Sequence, residues 1–255
     1  MAVAYVRTSG KQTCAGASSD TYTWSPTNPA VGNHVIAAAA MWDASVACTG
    51  INWSDNQSPN SYAEQIVDYE YTTNHDWINI ASAKIATSSG TFTVTLAPQS
   101  ATAPYIHWGL IEFSGIATSN WADRTGTYGA APASATSTPV TATAENTTAA
   151  GVAIAIANLD LSDSDLNITG PSGYTNVYVE DDGNVPGGTL AYKIYSETET
   201  SSATWGHDAV ATNYGRAAGI ATYKAAAAAG RATKNTRSHP LGLASGRGFM
   251  IGGRA

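Results

Sequence analysis

Apolar and polar residues alternate with a period of two in segment after segment of this chain, and that period predicts β-strands. Residues 91–96 (TFTVTL) place Phe92, Val94 and Leu96 on one side and three threonines on the other, as a half-buried strand requires. Residues 151–159 (GVAIAIANL) repeat the pattern with Val152, Ile154 and Ile156, and residues 34–42, 105–113 (YIHWGLIEF), 188–195 (GTLAYKIY) and 216–224 (RAAGIATYK) behave alike. Between them lie clusters of Gly, Pro, Asn, Asp and Ser at 55–61 (DNQSPNS), 88–90, 170–173 (GPSG) and 181–188 (DDGNVPGG), residues that accept tight-turn geometry or bond their own backbone. No amphipathic helical stretch interrupts them. Residues 1–224 are therefore expected to form one all-β domain, a two-sheet sandwich.

The pattern stops at residue 224. Residues 225–255 open with five alanines and Gly230 and run on as RATKNTRSHPLGLASGRGFMIGGRA with neither strand nor helix period, so they are expected to form an extended, irregular C-terminal arm. Fully extended, it would reach on the order of 100 Å at ~3.3 Å per residue. Charge divides at the same boundary. Residues 1–224 hold 7 Lys and Arg against all 19 Asp and Glu, a net −12, whereas the arm carries only Arg231, Lys234, Arg237, Arg247 and Arg254. A solvated tail is one reading. The other is an arm that orders on an acidic partner surface with Leu241, Leu243, Phe249, Met250 and Ile251 as apolar anchors, and the Phe-Met-Ile run favours it.

Only 12% of residues are charged, about half the usual ~25%, so the surface must be built largely from Thr, Ser, Asn, Gly and Ala. Hydroxyl and methyl groups cost less to desolvate than ionised ones, which suits a protein that packs against neighbours, including copies of itself. An ordinary Thr/Ser-rich secreted exterior is the competing reading. Cys14 and Cys48 are too few for a disulfide framework, and a single bridge and two free thiols both stay open. Residues 1–10 (MAVAYVRTSG) lack the basic start and apolar run of an export signal, and the longest apolar stretch, 35–42, falls far short of the ~20 residues of a membrane helix. A soluble chain made in the cytoplasm, without a membrane partner, is expected. The acidic body disfavours nucleic acid.

Candidate chemistry is sparse. There is no Gly-x-Ser-x-Gly turn, no Cys-x-x-Cys and no His-x-x-x-His, and His34, His75, His107, His207 and His239 are scattered singly, so no catalytic residue, metal site or cofactor is expected. Glu112 sits among apolar neighbours and is expected to be a strand-end carboxylate accepting turn amides or pairing with a residue such as Arg124, with a glycosidase carboxylate as the weaker alternative. Asp160, Asp163, Asp165 and Asn167 bring hard oxygen ligands into one loop without the calcium-loop spacing, and a solvated loop is the expectation. Trp42 and Trp108 fall in apolar alternating segments and are expected in the core, whereas Trp53 and Trp121 flank turns and are the candidates for exposed glycan contacts.

Several short motifs, in order, are similar to a jelly-roll-like domain of tailed-phage virion proteins and some bacterial surface proteins. They are Ser54-Asp55-Asn56 with Asn60-Ser61-Tyr62, residues 91–96, Ile111-Glu112-Phe113-Ser114-Gly115, Trp121-Ala122-Asp123, Pro171-Ser172-Gly173-Tyr174, Leu190-Ala191-Tyr192-Lys193, Ala203-Thr204-Trp205 and Ile220-Ala221-Thr222-Tyr223-Lys224, covering about residues 34–224. The resemblance implies a display, decoration or adhesion module with no catalytic role for the matched residues. It implies a location in the virion, assembled in the host cytoplasm, with capsid or other virion proteins as partners and a homo-oligomeric state, trimers included. A carbohydrate-binding or adhesion module of a fibre or bacterial surface is the alternative.

Overall fold

The computed structural model describes residues 2–42, 50–71, 76–99, 105–130, 140–159, 168–180, 187–206 and 216–227. Sixteen strands carry these segments, and every named pairing is antiparallel. The first nine are β1 (Ala4–Thr8), β2 (Gln12–Ala15), β3 (Asp20–Thr23), β4 (His34–Trp42), β5 (Ile51–Asp55), β6 (Ala63–Tyr71), β7 (Asp76–Lys84), β8 (Thr93–Pro98) and β9 (Tyr105–Ser114). The remaining seven are β10 (Ala122–Ala130), β11 (Val140–Glu145), β12 (Gly151–Leu159), β13 (Thr175–Val179), β14 (Gly187–Tyr195), β15 (Thr200–Trp205) and β16 (Arg216–Lys224). The all-β sandwich expected from the sequence is present, and it is built in four layers.

The outermost layer on one side is β3-β8-β5, followed by the sheet β1-β9-β4-β7-β6, on which β2 also pairs with β9. Next comes β10-β16-β12-β14-β13, and the pair β11-β15 closes the other side. Three apolar cores fill the three gaps. In the first, Val35, Ala37, Ala39 and Met41 of β4 meet Phe92, Val94 and Leu96, with Trp53 and Trp108 alongside. The central seam joins Ile36, Ile66, Ile78, Ile80, Ile111 and Phe113 to Val152, Ile154, Ile156, Leu190 and Tyr223. In the third, Ala153, Ala155, Ala157 and Ile220 pack on Val140, Ala142, Ala203 and Trp205.

This stacking accounts for the alanine-rich strands. A strand covered on both faces has no solvent side, so alternation between apolar and polar gives way to alternation between large and small side chains. In β12 the isoleucines point into the central seam and the alanines toward the β11-β15 layer, where Trp205 needs the room. The outermost layers keep the apolar-polar period: their outward faces carry the hydroxyl pairs Thr23–Thr93, Thr141–Thr204 and Thr143–Ser202.

The two halves of the chain repeat one topology. The five-stranded order β1-β9-β4-β7-β6 maps strand for strand, in chain order, onto β10-β16-β12-β14-β13, and the pair β3-β8 maps onto β11-β15. Among the described residues, β2 and β5 have no counterpart in the second half. Both edge pairings of each half carry a bulge at the corresponding place, β1-β9 and β10-β16 on one side and β6-β7 and β13-β14 on the other. The described residues thus form a tandem pair of sandwich units, one of nine strands and one of seven, that share a seven-strand topology and face each other through their larger sheets.

Polar links tie the units across the seam. The Asn158 amide donates to the Met41 carbonyl at 2.6 Å, the Tyr178 hydroxyl to the His107 carbonyl at 3.2 Å, and the Tyr223 hydroxyl to Gln65 Oε1 at 2.8 Å. Lys11 forms an ion pair with Glu180. The connection between the units, residues 115–121, lies along the end of β16: Ala117 N–H donates to the Lys224 carbonyl (2.9 Å), and Lys224 N–H to the Trp121 carbonyl (2.8 Å).

Candidate functional site

Three places could carry function: the buried carboxylate Glu112, the exit of the C-terminal arm, and a cleft where the two units meet. Glu112 lies on β9, and its side chain is 1% exposed. Arg7 Nε donates to Oε2 at 2.7 Å, while the Ala30 amide (2.8 Å) and Asn33 Nδ2 (2.7 Å) donate to Oε1. Arg7 is fixed in turn by Thr27, whose hydroxyl accepts from Nη1 at 2.7 Å, and by Trp24, with the guanidinium carbon 4.6 Å from the ring centroid. A carboxylate whose two oxygens accept from three fixed donors holds the β3-β4 turn against β9. The expected partner Arg124 is replaced by Arg7, because β1 runs beside β9 and pairs Arg7 directly with Glu112, whereas Arg124 lies on the far edge strand β10.

The Asp-Asn turn motif is likewise architectural. Asn60 Oδ1 accepts from the amides of Ala86 (2.8 Å) and Thr87 (3.1 Å), the Asn56 side chain bridges Thr91 and Thr93, and Gln57 holds Ser89. These side chains replace ladder bonds for the turn that leads from β7 into β8. Burial raises the Asp55 carboxyl above its ordinary value, against the Gln57 amide and the Asn60 side chain that bond it.

The arm leaves the body beside the connection. Ala225 N–H donates to the Ala150 carbonyl at 2.9 Å and Ala226 N–H to the Gly115 carbonyl at 2.7 Å, so the body holds the chain through Ala226. Gly115, with φ of +77°, packs against the Ala2 backbone so closely that a Cβ there would lie 2.1 Å from the Ala2 carbonyl oxygen. The ten proposed anchors, Arg231, Lys234, Arg237, Leu241, Leu243, Arg247, Phe249, Met250, Ile251 and Arg254, lie outside the described residues. So do Cys48, His75, His207, His239 and the cluster Asp160, Asp163, Asp165 and Asn167. Cys14 is buried and free, and burial and the Asp20 carboxylate raise its thiol pKa.

The cleft runs along the start of the edge strand β6, where the connection enters β10. Ala63, Gln65, Asn120, Trp121 and Ala122 line a hollow of about 330 Å³. Gln65 and Ala122 also line the adjoining hollow of about 390 Å³, with Glu64, Asp123, Arg124 and Thr125. Trp121 is half-buried, its indole N–H donating to Ser82 Oγ at 2.9 Å and its ring 5.2 Å from that of His34. Its neighbour Asn120 has a left-handed backbone, φ +48°, which turns the chain into β10. Burial works against the charge of Asp123, yet the Thr147 amide (2.8 Å) and hydroxyl and the Lys224 ammonium (3.7 Å) hold its carboxyl below the ordinary value.

Of the two tryptophans expected at the surface, Trp121 is at the cleft. Trp53 is not an exposed platform: it is 9% exposed, with its ring against Trp108 (5.7 Å) and its N–H bonded to Asn79 Oδ1 (2.8 Å). Strand β5 carries it over the first core, so its ring fills that core and only its rim borders a third hollow shared with Tyr62 and Glu64. Trp108 is fully buried. Sequence reasoning missed Gln65 as a neighbour of Trp121, since the two meet only when β6 is brought beside the connection.

No protein-family model, no curated protein and no solved structure matches the chain. Fold and geometry are therefore the ground for a functional reading.

Proposed function

We propose that the protein is a non-enzymatic structural component of a phage virion, a capsid decoration protein whose four-layer body projects outward while its C-terminal arm docks on the shell or a neighbouring subunit. The observation that carries this reading is the division of charge across one anchored point. A body at −12 ends in hydrogen bonds from Ala225 and Ala226, and a stretch with five basic residues and a Phe-Met-Ile run begins there. A basic arm on an acidic body is attracted to acidic surfaces.

The outward Thr and Ser ladders support the same reading, since uncharged hydroxyl faces are readily covered by neighbouring copies. Homo-oligomerisation, with trimers as one form, belongs to the proposal. So does the resemblance to jelly-roll-like virion domains. No membrane, nucleic-acid or cofactor partner is invoked.

The test is a truncation after Ala227, which retains both anchoring hydrogen bonds. The truncated protein is expected to keep its circular dichroism spectrum and unfolding midpoint and to lose co-sedimentation with particles. Undiminished co-sedimentation would refute attachment through the arm.

A further inference from the structure

We propose that the cleft between the two units is a binding site for a neutral sugar, an unmodified pyranoside unit of a glycan, seated on Trp121. This does not rest on the attachment reading, because the cleft belongs wholly to the body and the arm plays no part in it.

Four features of the cleft argue for that ligand class. Its two hollows, about 330 and 390 Å³, share Gln65 and Ala122 and so form one trough, with each part in the size range of small-ligand sites, ~300–1,000 Å³. One end is apolar, with the Trp121 indole beside Ala63 and Ala122, and suits the C–H face of a pyranose. Polar side chains line the rest of the trough and together supply donors and acceptors: the Asn120 and Gln65 amides at the Trp121 end, and the Thr125 hydroxyl, the Glu64 carboxylate and the exposed Arg124 guanidinium in the adjoining hollow. Vicinal hydroxyls each donate and accept, and planar amides, carboxylates and guanidinium groups match them in pairs.

Charge selects against ionic ligands. The Asp123 carboxylate is hydrogen-bonded by Thr147 and its charge is balanced by Lys224, and the charges of the remaining Glu64 and Arg124 cancel, so the ionised groups lining the trough sum to no net charge with Lys224.

The site is also held in advance of binding. Trp121 is fixed by Ser82 and His34, and Gln65 sits at the bulge of β6, where its Oε1 accepts the Tyr223 hydroxyl across the seam. Preorganised side chains lose little entropy on binding, which matters for a ligand as weakly held as a single sugar.

The experiment is saturation-transfer NMR followed by titration calorimetry on the full-length protein. The probes are glucose, galactose, mannose, N-acetylglucosamine and their β-linked disaccharides, with sialic acid and glucose 6-phosphate as charged controls. At least one neutral sugar is expected to bind and the charged controls to bind at least tenfold more weakly. Arg124→Ala, on an exposed side chain, is expected to weaken binding at least fivefold with an unchanged unfolding midpoint, and Trp121→Phe to weaken it as much while keeping an aromatic ring in the packing. Absence of binding by every neutral sugar at 10 mM (roughly the limit of a −2.7 kcal/mol interaction), equal binding of the charged controls, or binding unaffected by both substitutions would overturn the proposal.

Discussion

Removing the Glu112 carboxylate should unfasten the β3-β4 turn from β9, and the size of the effect follows from what would be left unpaired. Glu112→Ala strands three donors, the half-buried Arg7 guanidinium, the Ala30 amide and the Asn33 amide, in a place where the carboxylate itself is 1% exposed. Breaking a buried ion pair from one side costs about 3–5 kcal/mol, or roughly 6–20 °C of midpoint for a chain of this size. Glu112→Gln keeps an oxygen for Ala30 and Asn33 but turns an NH2 toward Arg7, so the cost should fall to about 1–3 kcal/mol. Arg7→Met combined with Glu112→Gln should be less destabilised than the two single changes together, because the residues touch. Urea unfolding followed by tryptophan fluorescence measures all four proteins. If Glu112→Ala and Glu112→Gln both unfold within 0.5 kcal/mol of the parent, roughly the spread of neutral surface changes, the assignment of Glu112 as a structural anchor fails.

Two further substitutions test other parts of the fold. Burial, with the Lys84 ammonium nearby, lowers His34 to about 4 from 6.5, so the unfolded chain takes up a proton as pH falls through 6.5 while the folded one does not until about 4. Stability should therefore be full above pH 6.5 and decline by about 3 kcal/mol between there and pH 4, and His34→Gln should flatten that part of a denaturant-midpoint profile; an unchanged slope would contradict it. On β10, a Cβ at Gly126 would lie 1.8 Å from the Thr143 carbonyl oxygen, backbone against backbone. Gly126→Ala should cost about 3 kcal/mol or more, since no side chain can swing aside, and a thermal midpoint within 2 °C of the parent would place β11 elsewhere.

How much of this could be read from the chain depended on solvent. Strands β4, β9, β12 and β16 were legible to within a residue because their apolar runs are long; β8 was legible as a strand because one of its faces is covered and the other wet, but the expected 91–96 lies two residues before the observed Thr93–Pro98 at both ends. β10 was illegible: its sequence, ADRTGTYGA, serves an edge position whose glycine is dictated by β11 passing overhead, not by any period of its own. The duplication was hidden for a related reason. A sandwich unit of this kind needs only side chains of the right size at covered positions, and HVIAAAAMW and GVAIAIANL both meet that need while sharing little residue by residue. Repeated strand order is a property of pairing, and pairing is not written in a strand's own composition.

The candidate sites divide along the same line. Glu112 was recognisable as structural from its apolar neighbours, but its partner Arg7, 105 positions away, is fixed by sheet order. Trp121 was recognisable because it flanks a turn. Trp53 flanks a turn as well, yet its indole caps a core that exists only once β5 lies over the sheet beneath it.

The most direct test of the structural role is an electron cryomicroscopy map of particles assembled in cells that express this chain with its neighbouring genes. The account predicts sixteen-stranded density at fixed positions on the shell lattice, with continuous density leading from the Gly115–Ala226 junction onto the shell. Particles whose shells carry no such density, with the protein left in the soluble fraction, would contradict it.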